Sequence, residues 1–475
     1  MKHIRGIKQP LAYKDNVYGL DFYLHWCNNP SILVILLRKT ISRHMKSFPI
    51  KSFSILAIII CIFACDRLSA PGGTDRNCAE GIGPKRTLAE AELFASDLLQ
   101  QFDTKASPHR KIHERICVKR PVTKGENQDD TDTLMYLFNL ADDGFIIVSA
   151  DNRDYPLVAY VEKGQIDQSL KTSVPPFDDY LSEVLEAYSS REPVRAPRPL
   201  FRYETFILDT GVEPLLNVRW GQRDVYGAFC PNGVSGCVAT AMAQIMTKYS
   251  KPDYFTASVS MGGFNEGNSV SLTWNKIKQH RNNHNSTTDS CYAYHSEISA
   301  LLREIGDRVN MEYHHTDTSD HSSAYSSDVP SAFNSFGYYC SELMNYQWPR
   351  TIQSLNNGYP VYVSASRIES IDYSASPDTT FAGHAFLIDG YIHCGEYYQT
   401  YIWNGTTYEF LEQTELSGRH VYHINWGWNG TCNGYFPFEV FNTDLADEYD
   451  DSTLTNTNYH RDYLFNRKII VDIHP

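Results

Sequence analysis

The sequence predicts a two-lobed α+β protein, and three observations carry the prediction. An amphipathic helix opens at Cys237, period-two strands run from Ala385 onward, and a smaller unit of helix and strand lies upstream, set apart by a proline- and arginine-rich stretch. At 475 residues the chain is long for one hydrophobic core. Its apolar content of 42% is that of a soluble globular protein, and 13% aromatics with 32 Tyr fit a β-rich body. The formal charge of -14 argues against nucleic acid as a partner. The 11 cysteines are scattered, with neither His-Glu-x-x-His nor paired Cys-x-x-Cys, so no zinc site is expected.

Residues 1–44 show no coherent periodicity. From Met45, a basic flank at Lys46 and Lys51 precedes an apolar run over 52–64, the length of a signal-peptide core and too short to span a bilayer. Ile62-Phe63-Ala64-Cys65 then resembles a lipoprotein signal, with Cys65 as the lipidated residue and Met45 as a candidate start; a plain secretory signal is the alternative. Either reading means export. Thr87-Leu88-Ala89-Glu90 is a capping box, opening a helix with the apolar stripe Leu88, Ala91, Phe94, Ala95, Leu98, Leu99 and Phe102. Extended runs at 134–140 and 145–149, joined through Ala141-Asp142-Asp143-Gly144, predict a hairpin; 157–162 predicts a further strand and 176–188 a second helix. Residues 189–199 hold three prolines and three arginines, which suit neither a helix nor a central strand, and read as an exposed linker open to proteolysis.

The chemistry lies downstream. Val238, Ala241, Met242, Ile245, Met246 and Tyr249 form one helical stripe, so Cys237 sits at the helix N-terminus, where the dipole favours thiolate. Gly236 removes a side chain where a substrate backbone would approach. A thiolate needs a base close in space. His384 begins an alternating strand, and Gly383 opens its approach. Asn425-Trp426-Gly427-Trp428-Asn429-Gly430 offers an amide oxygen to the second ring nitrogen and a neighbouring indole to shield that bond. Cys230 is either a competing thiol or a disulfide partner; Cys237 is preferred because only it opens the helix. Further helices are expected over 298–306 and 351–357, and strands over 360–365, 385–392, 397–403, 421–426 and 435–441. A Ser/Asp-rich loop over 367–380 would flank the cleft.

These stretches together resemble the streptopain family of papain-like cysteine peptidases. The resemblance covers about residues 130–450. It rests on Trp220-Gly221-Gln222, Gly236-Cys237-Val238-Ala239-Thr240-Ala241-Met242-Ala243-Gln244, Gly383-His384-Ala385-Phe386 and Asn425-Trp426-Gly427-Trp428, in the family's order. It implies a papain-like peptidase domain over 206–475, an inhibitory α+β prodomain over 66–190, an activation linker over 191–205, and a signal-bearing extension over 1–65. By the same resemblance Cys237 is the nucleophile and His384 the general base, then acid. Gln222 joins the Cys237 N–H in an oxyanion hole, Asn425 orients His384 and Trp426 covers the pair, with Gly236 and Gly383 beside the substrate. Substrates would be proteins or peptides, the prodomain an intramolecular inhibitor, and no cofactor or metal is needed. An amidase or transpeptidase on the same site, or a catalytically dead binding protein, are the rival readings. Residues 253–345 match the family poorly.

Overall fold

The computed structural model describes residues 83–475, apart from 84, 103–109, 121–132, 191–199, 279–291, 316–319, 373–377, 417 and 438–464. The export signal with Met45 and Cys65, and most of the Pro/Arg stretch, therefore lie outside the described residues. The upstream unit contains α1 (Leu88–Phe102), β1 (Ile112–Lys119), β2 (Thr133–Leu140), β3 (Phe145–Ser149), β4 (Leu157–Val161) and α2 (Pro175–Ser189). The capping box at its start is formed: the Thr87 N–H donates to Glu90 Oε2 at 2.8 Å and the Glu90 N–H to Thr87 Oγ1 at 3.2 Å. Strands β2 to β4 are apolar almost without alternation because both of their faces are covered. On one side α1 lays Ala91, Ala95, Leu98 and Leu99 against Tyr136, Phe138, Ile146 and Val148. On the other, α2 lays Phe177, Tyr180 and Leu181 against Leu137, Phe145 and Ile147.

Downstream come β5 (Leu200–Val212), α3 (Cys237–Tyr249), β6 (Tyr254–Thr256), β7 (Ser269–Ser271), α4 (Trp274–Ile277), α5 (Tyr292–Arg308), β8 (Glu312–His314), β9 (His321–Ser323), α6 (Val329–Ser335), β10 (Met344–Asn345) and α7 (Trp348–Asn356). The chain ends in β11 (Val361–Asp372), β12 (Asp378–Trp403), β13 (Tyr408–Glu415), β14 (Arg419–Asn425), β15 (Gly434–Pro437) and β16 (Phe465–Ile470). The α+β order holds. One core is mainly helical: Ala241, Met242 and Ile245 of α3 pack with Leu301, Leu302 and Ile305 of α5 and Phe333 of α6. Strands β11, β12 and β16 close its flank and, with β14, share a second core with the upstream unit.

Among the described residues a 12-stranded antiparallel sheet runs β1-β2-β3-β4-β15-β14-β12-β11-β16-β10, with β5 and β13 also paired to β12, and β6-β7 and β8-β9 form two small sheets apart from it. Strand β4 meets β15 through Val161 opposite Gly434 and Tyr160 opposite Tyr435. The seam is lengthened by Glu162 N–H to Asn433 O and Cys432 N–H to Lys163 O, both 2.9 Å. The upstream unit and the strands that carry His384 and Asn425 are thus parts of one sheet.

Several expectations are corrected. Residues 200–205, expected in the linker, lie in β5 and pair with β12. The strands expected at 385–392 and 397–403 are one strand, β12, because Gly395 between them lies tight against Phe206 of β5 and the ladder to β5 runs on through it. The expected loop over 367–380 is largely ladder, since β11 runs to Asp372 and β12 starts at Asp378. Strands β1 and β13 went unforeseen because they are half-exposed and rich in charge, which blurs the period-two signal.

A Cβ on Gly434 would lie 2.0 Å from the Tyr160 carbonyl oxygen, so the β4–β15 seam requires glycine there. Gly434→Ala should destabilise the intact chain by about 1–3 kcal/mol, the usual cost of overpacking, read as a lower midpoint in urea unfolding.

Candidate active site

Cys237 is the first residue of α3, and Gly236 before it adopts φ 85°, a conformation that side chains resist. The Cys237 thiol is free and half-buried, as is appropriate for a group at the mouth of a helix. Burial pushes its pKa up, opposed by backbone N–H groups of Ala385, Val238 and Cys237 itself directed at the sulfur. The Ala385 contact puts the sulfur beside the residue that follows His384. Gly236, expected to face substrate, is buried: a Cβ there would meet the Met311 methyl at 2.9 Å and Ser322 Cβ at 3.2 Å. Gly383 is exposed, and a Cβ on it would meet only the Ala365 carbonyl, at 3.7 Å.

His384 is buried in β12, 8% exposed. Its Nε2–H donates to the backbone carbonyl of Trp426 at 2.9 Å. A carbonyl can only accept, so the proton sits on Nε2 and leaves Nδ1 as the basic nitrogen. Burial lowers the imidazole pKa to about 4, with the Trp426 carbonyl opposing the shift. The ring partner is therefore Trp426 and not Asn425, which corrects the role expected for Asn425. The Asn425 amide is fully used elsewhere: Nδ2 donates to Gln244 Oε1 at 3.0 Å and to the Val218 carbonyl at 3.3 Å, and Oδ1 accepts from the Gly427 N–H at 3.1 Å. The Trp426 indole is buried between Phe386 and Phe436, at ring distances of 4.9 and 5.6 Å.

Gln222 is held by its backbone, not by its side chain. Its carbonyl accepts from the Ser235 N–H at 2.8 Å, which ties it two residues upstream of Cys237. Cys230 is buried beside the Tyr313 hydroxyl; burial raises its thiol to about 11, and it is unpaired, so neither reading of it as a disulfide partner for Cys237 nor as a ready thiolate is supported.

Two side chains that sequence reading left without a role assemble this site. Gln244 lies seven residues after Cys237, nearly two full helical turns, on the same face of α3. Its Oε1 accepts from the Trp220 N–H and from Asn425 Nδ2, both at 3.0 Å, joining the Gln222 loop to the Trp426 loop. Thr240, one turn after Cys237, places Oγ1 3.2 Å from the Gly221 carbonyl and 3.0 Å from that of Gly236. Asn433 adds a third support, its Oδ1 accepting from the Trp426 N–H at 3.0 Å. The signal for Gln244 and Thr240 was their shared helical face with the thiol. For the Trp426 carbonyl there was none, because every residue carries one.

Residues 220–436 match the sequence model described as the Peptidase C10 family, and residues 83–189 match that of the Spi protease inhibitor. Streptopain from Streptococcus pyogenes is 26% identical over 345 residues, covering 65% of this chain and 74% of streptopain. The thiol protease/hemagglutinin PrtT of Porphyromonas gingivalis is 24% identical over 348 residues, covering 66% of this chain and 34% of that longer protein. Among solved structures, a prointerpain A fragment from Prevotella intermedia aligns with 75% of this chain and 98% of its own, at 20% identity and a TM-score of 0.42.

Removing the Gln244 carbonyl should loosen both loops together. Gln244→Leu leaves two buried donors unpaired, at about 1–3 kcal/mol each, and is expected to lower the denaturation midpoint and turnover in parallel. Normal turnover in a destabilised variant would show that the bridge serves stability alone.

Proposed function

Since the chain belongs to the Peptidase C10 family of cysteine peptidases and carries an inhibitor-type segment ahead of its peptidase segment, we propose that it is an exported endopeptidase made as a zymogen, with Cys237 and His384 as its catalytic pair. One observation carries the assignment of the pair. The N–H of Ala385 points at the Cys237 sulfur while the neighbouring imidazole of His384 is fixed as its Nε2–H tautomer by Trp426. That leaves Nδ1 to take the thiol proton.

In the reaction, Nδ1 accepts the Cys237 proton and the thiolate adds to the scissile carbonyl. The oxyanion that forms is held by the Cys237 N–H at the helix N-terminus and by the Gln222 amide. The carbon–nitrogen bond then breaks as His384 returns the proton to the leaving amine, and water, deprotonated by Nδ1, cleaves the thioester. Trp426 supplies the orienting carbonyl, and its indole closes the site from behind. Asn425 acts at one remove, holding the Trp426 loop to Gln244.

Burial raises the Cys237 thiol and lowers the His384 imidazole to about 4, each shift disfavouring the charged form. Cleavage within the Pro/Arg stretch, ahead of β5, would separate the inhibitor-like segment from the peptidase. The apolar run over 52–64 supports export, with Cys65 as the proposed lipid attachment point.

Cys237→Ala should abolish peptide hydrolysis and, if maturation is autocatalytic, leave the full-length chain uncut. Cys230→Ala should remain active, because its thiol is buried and stays protonated at neutral pH. Both are read by turnover of a fluorogenic peptide and by N-terminal sequencing of the product; an active Cys237 variant beside a dead Cys230 variant would reverse the assignment. Gln222→Ala is expected to lower kcat about 10²-fold or more with little change in KM, as for loss of one oxyanion donor. Unchanged kcat would reduce Gln222 to a structural residue.

A further inference from the structure

Glu162, the residue after β4, sits at the seam between the inhibitor-like segment and the peptidase. Its carboxylate lies 2.6 Å from Nη2 of Arg219 and 3.7 Å from Nε2 of His423. Both cations belong to the peptidase segment: Arg219 immediately precedes Trp220, and His423 lies on β14, two residues before Asn425. The His423 imidazole is buried, and its Nδ1 is bonded to Asp389 Oδ1 on β12 at 2.5 Å. We propose that Arg219 and His423 form a carboxylate-recognition site of the peptidase, filled in the intact chain by Glu162 and open to an acidic-ended extended strand once the inhibitor-like segment has left.

Three further features support this. The first is electrostatic. Burial alone would lower the His423 pKa, but the Asp389 and Glu162 carboxylates outweigh it and raise the group to about 10. Burial would raise Glu162, but His423, Arg219 and Arg110 outweigh it and hold the carboxyl at about 2. The contact is therefore fully charged from mildly acidic to mildly alkaline pH. The Glu162 contribution is lost only as pH falls through its lowered value, and that of His423 only as pH rises through its raised one. Around them stand the Tyr435 ring, 5.0 Å from the imidazole, the Glu213 carboxylate, which acts on Tyr435 together with Glu162 and Asp389, and Lys248, which faces Asp389. Release of the segment by this contact is thus a matter of proteolysis, not of mild acid.

The second is the backbone beside it. Once β4 leaves, the edge of β15 has unpaired N–H and C=O groups next to the two cations, a template for an added strand. Strand pairing supplies affinity, and the cation pair selects a carboxylate at its end.

The third is the connection to the catalytic loops. The Glu162 N–H bonds Asn433 O, Asn433 Oδ1 accepts from the Trp426 N–H, and the Trp426 carbonyl holds His384. Lys163 Nζ donates to Asn429 O at 3.1 Å, and the Asn429 N–H to Trp220 O at 3.2 Å, within the Gln222 loop. A strand seated here grips both loops.

The proposal rests on the zymogen reading, and two measurements keep them apart. In the intact chain, alkylation of Cys237 by iodoacetamide at neutral pH is compared for wild type, Glu162→Gln, Arg219→Ala and the double variant. Each single change should speed labelling about tenfold, and the double variant should be no faster than the faster single, since both remove one contact. Equal labelling of all four, or additive effects, overturns the contact. If the wild-type chain labels as fast as the processed enzyme, the zymogen reading fails, and the second measurement alone decides this proposal. There, processed enzyme is titrated with a synthetic peptide of residues 156–165 and with its Glu162→Gln form. The native peptide should bind at least about tenfold more tightly, and the difference should vanish on Arg219→Ala enzyme. Equal affinity, or no binding of either peptide, overturns the open site. Glu162→Gln itself leaves the processed enzyme identical to wild type, because the residue lies in the segment removed.

Discussion

One buried oxygen, Oε1 of Gln244, accepts two hydrogen bonds on which the geometry of the site depends. Gln244 is fully buried on the face of α3 that carries the thiol. The two segments it joins, around Trp220 and Asn425, are more than 200 residues apart in sequence (|i−j| = 207 for Asn425 to Val218) and have no ladder connecting them at that point. Without that oxygen two buried donors would be stranded, at a cost large against the marginal stability of any domain. The helix that Cys237 opens is therefore also the fixture that sets Gln222 and Trp426 relative to the sulfur.

The antiparallel seam between β4 and β15 has the opposite character. It is short, it needs glycine at position 434, and it carries the Glu162 contact on its flank. Yet it merges the inhibitor-like segment into the sheet of the peptidase, with Phe177 and Tyr180 packed on Phe436, and Trp426 packed on the same ring. The inhibitor-like segment and the Trp426 loop thus share a hydrophobic core. Departure of the segment would expose that apolar face and a strand edge together, surfaces that folded proteins ordinarily cover.

Burial acts on the Cys237 thiol and the His384 imidazole in opposite senses: desolvation disfavours the charged form of either, pushing the thiol up and the imidazole down. The same force acts on His423, but there two carboxylates overcome it. Two buried histidines on adjacent strands are accordingly shifted in opposite directions, and the one pushed towards the neutral form is the neighbour of Ala385, whose N–H faces the thiol.

The sequence alone determined what is local and periodic. The capping box at Thr87, the apolar strands at 134–140 and 145–149, and the helix opened by Cys237 each follow from residues within a turn or a strand of one another. The thiol, the histidine at the start of an alternating run and the family resemblance could be read from short motifs. Tertiary structure decided which groups meet. It assigned the ring nitrogen of His384 to a main-chain carbonyl, which no residue type announces, and drew the Asn425 amide away to Gln244. It carried β12 through Gly395, where the sequence divides two strands, because Phe206 of β5 packs closely against that glycine. It also brought Glu162 to Arg219 and His423 across the seam. Such contacts depend on how distant strands register and on which faces are buried, and a linear pattern of side chains contains neither.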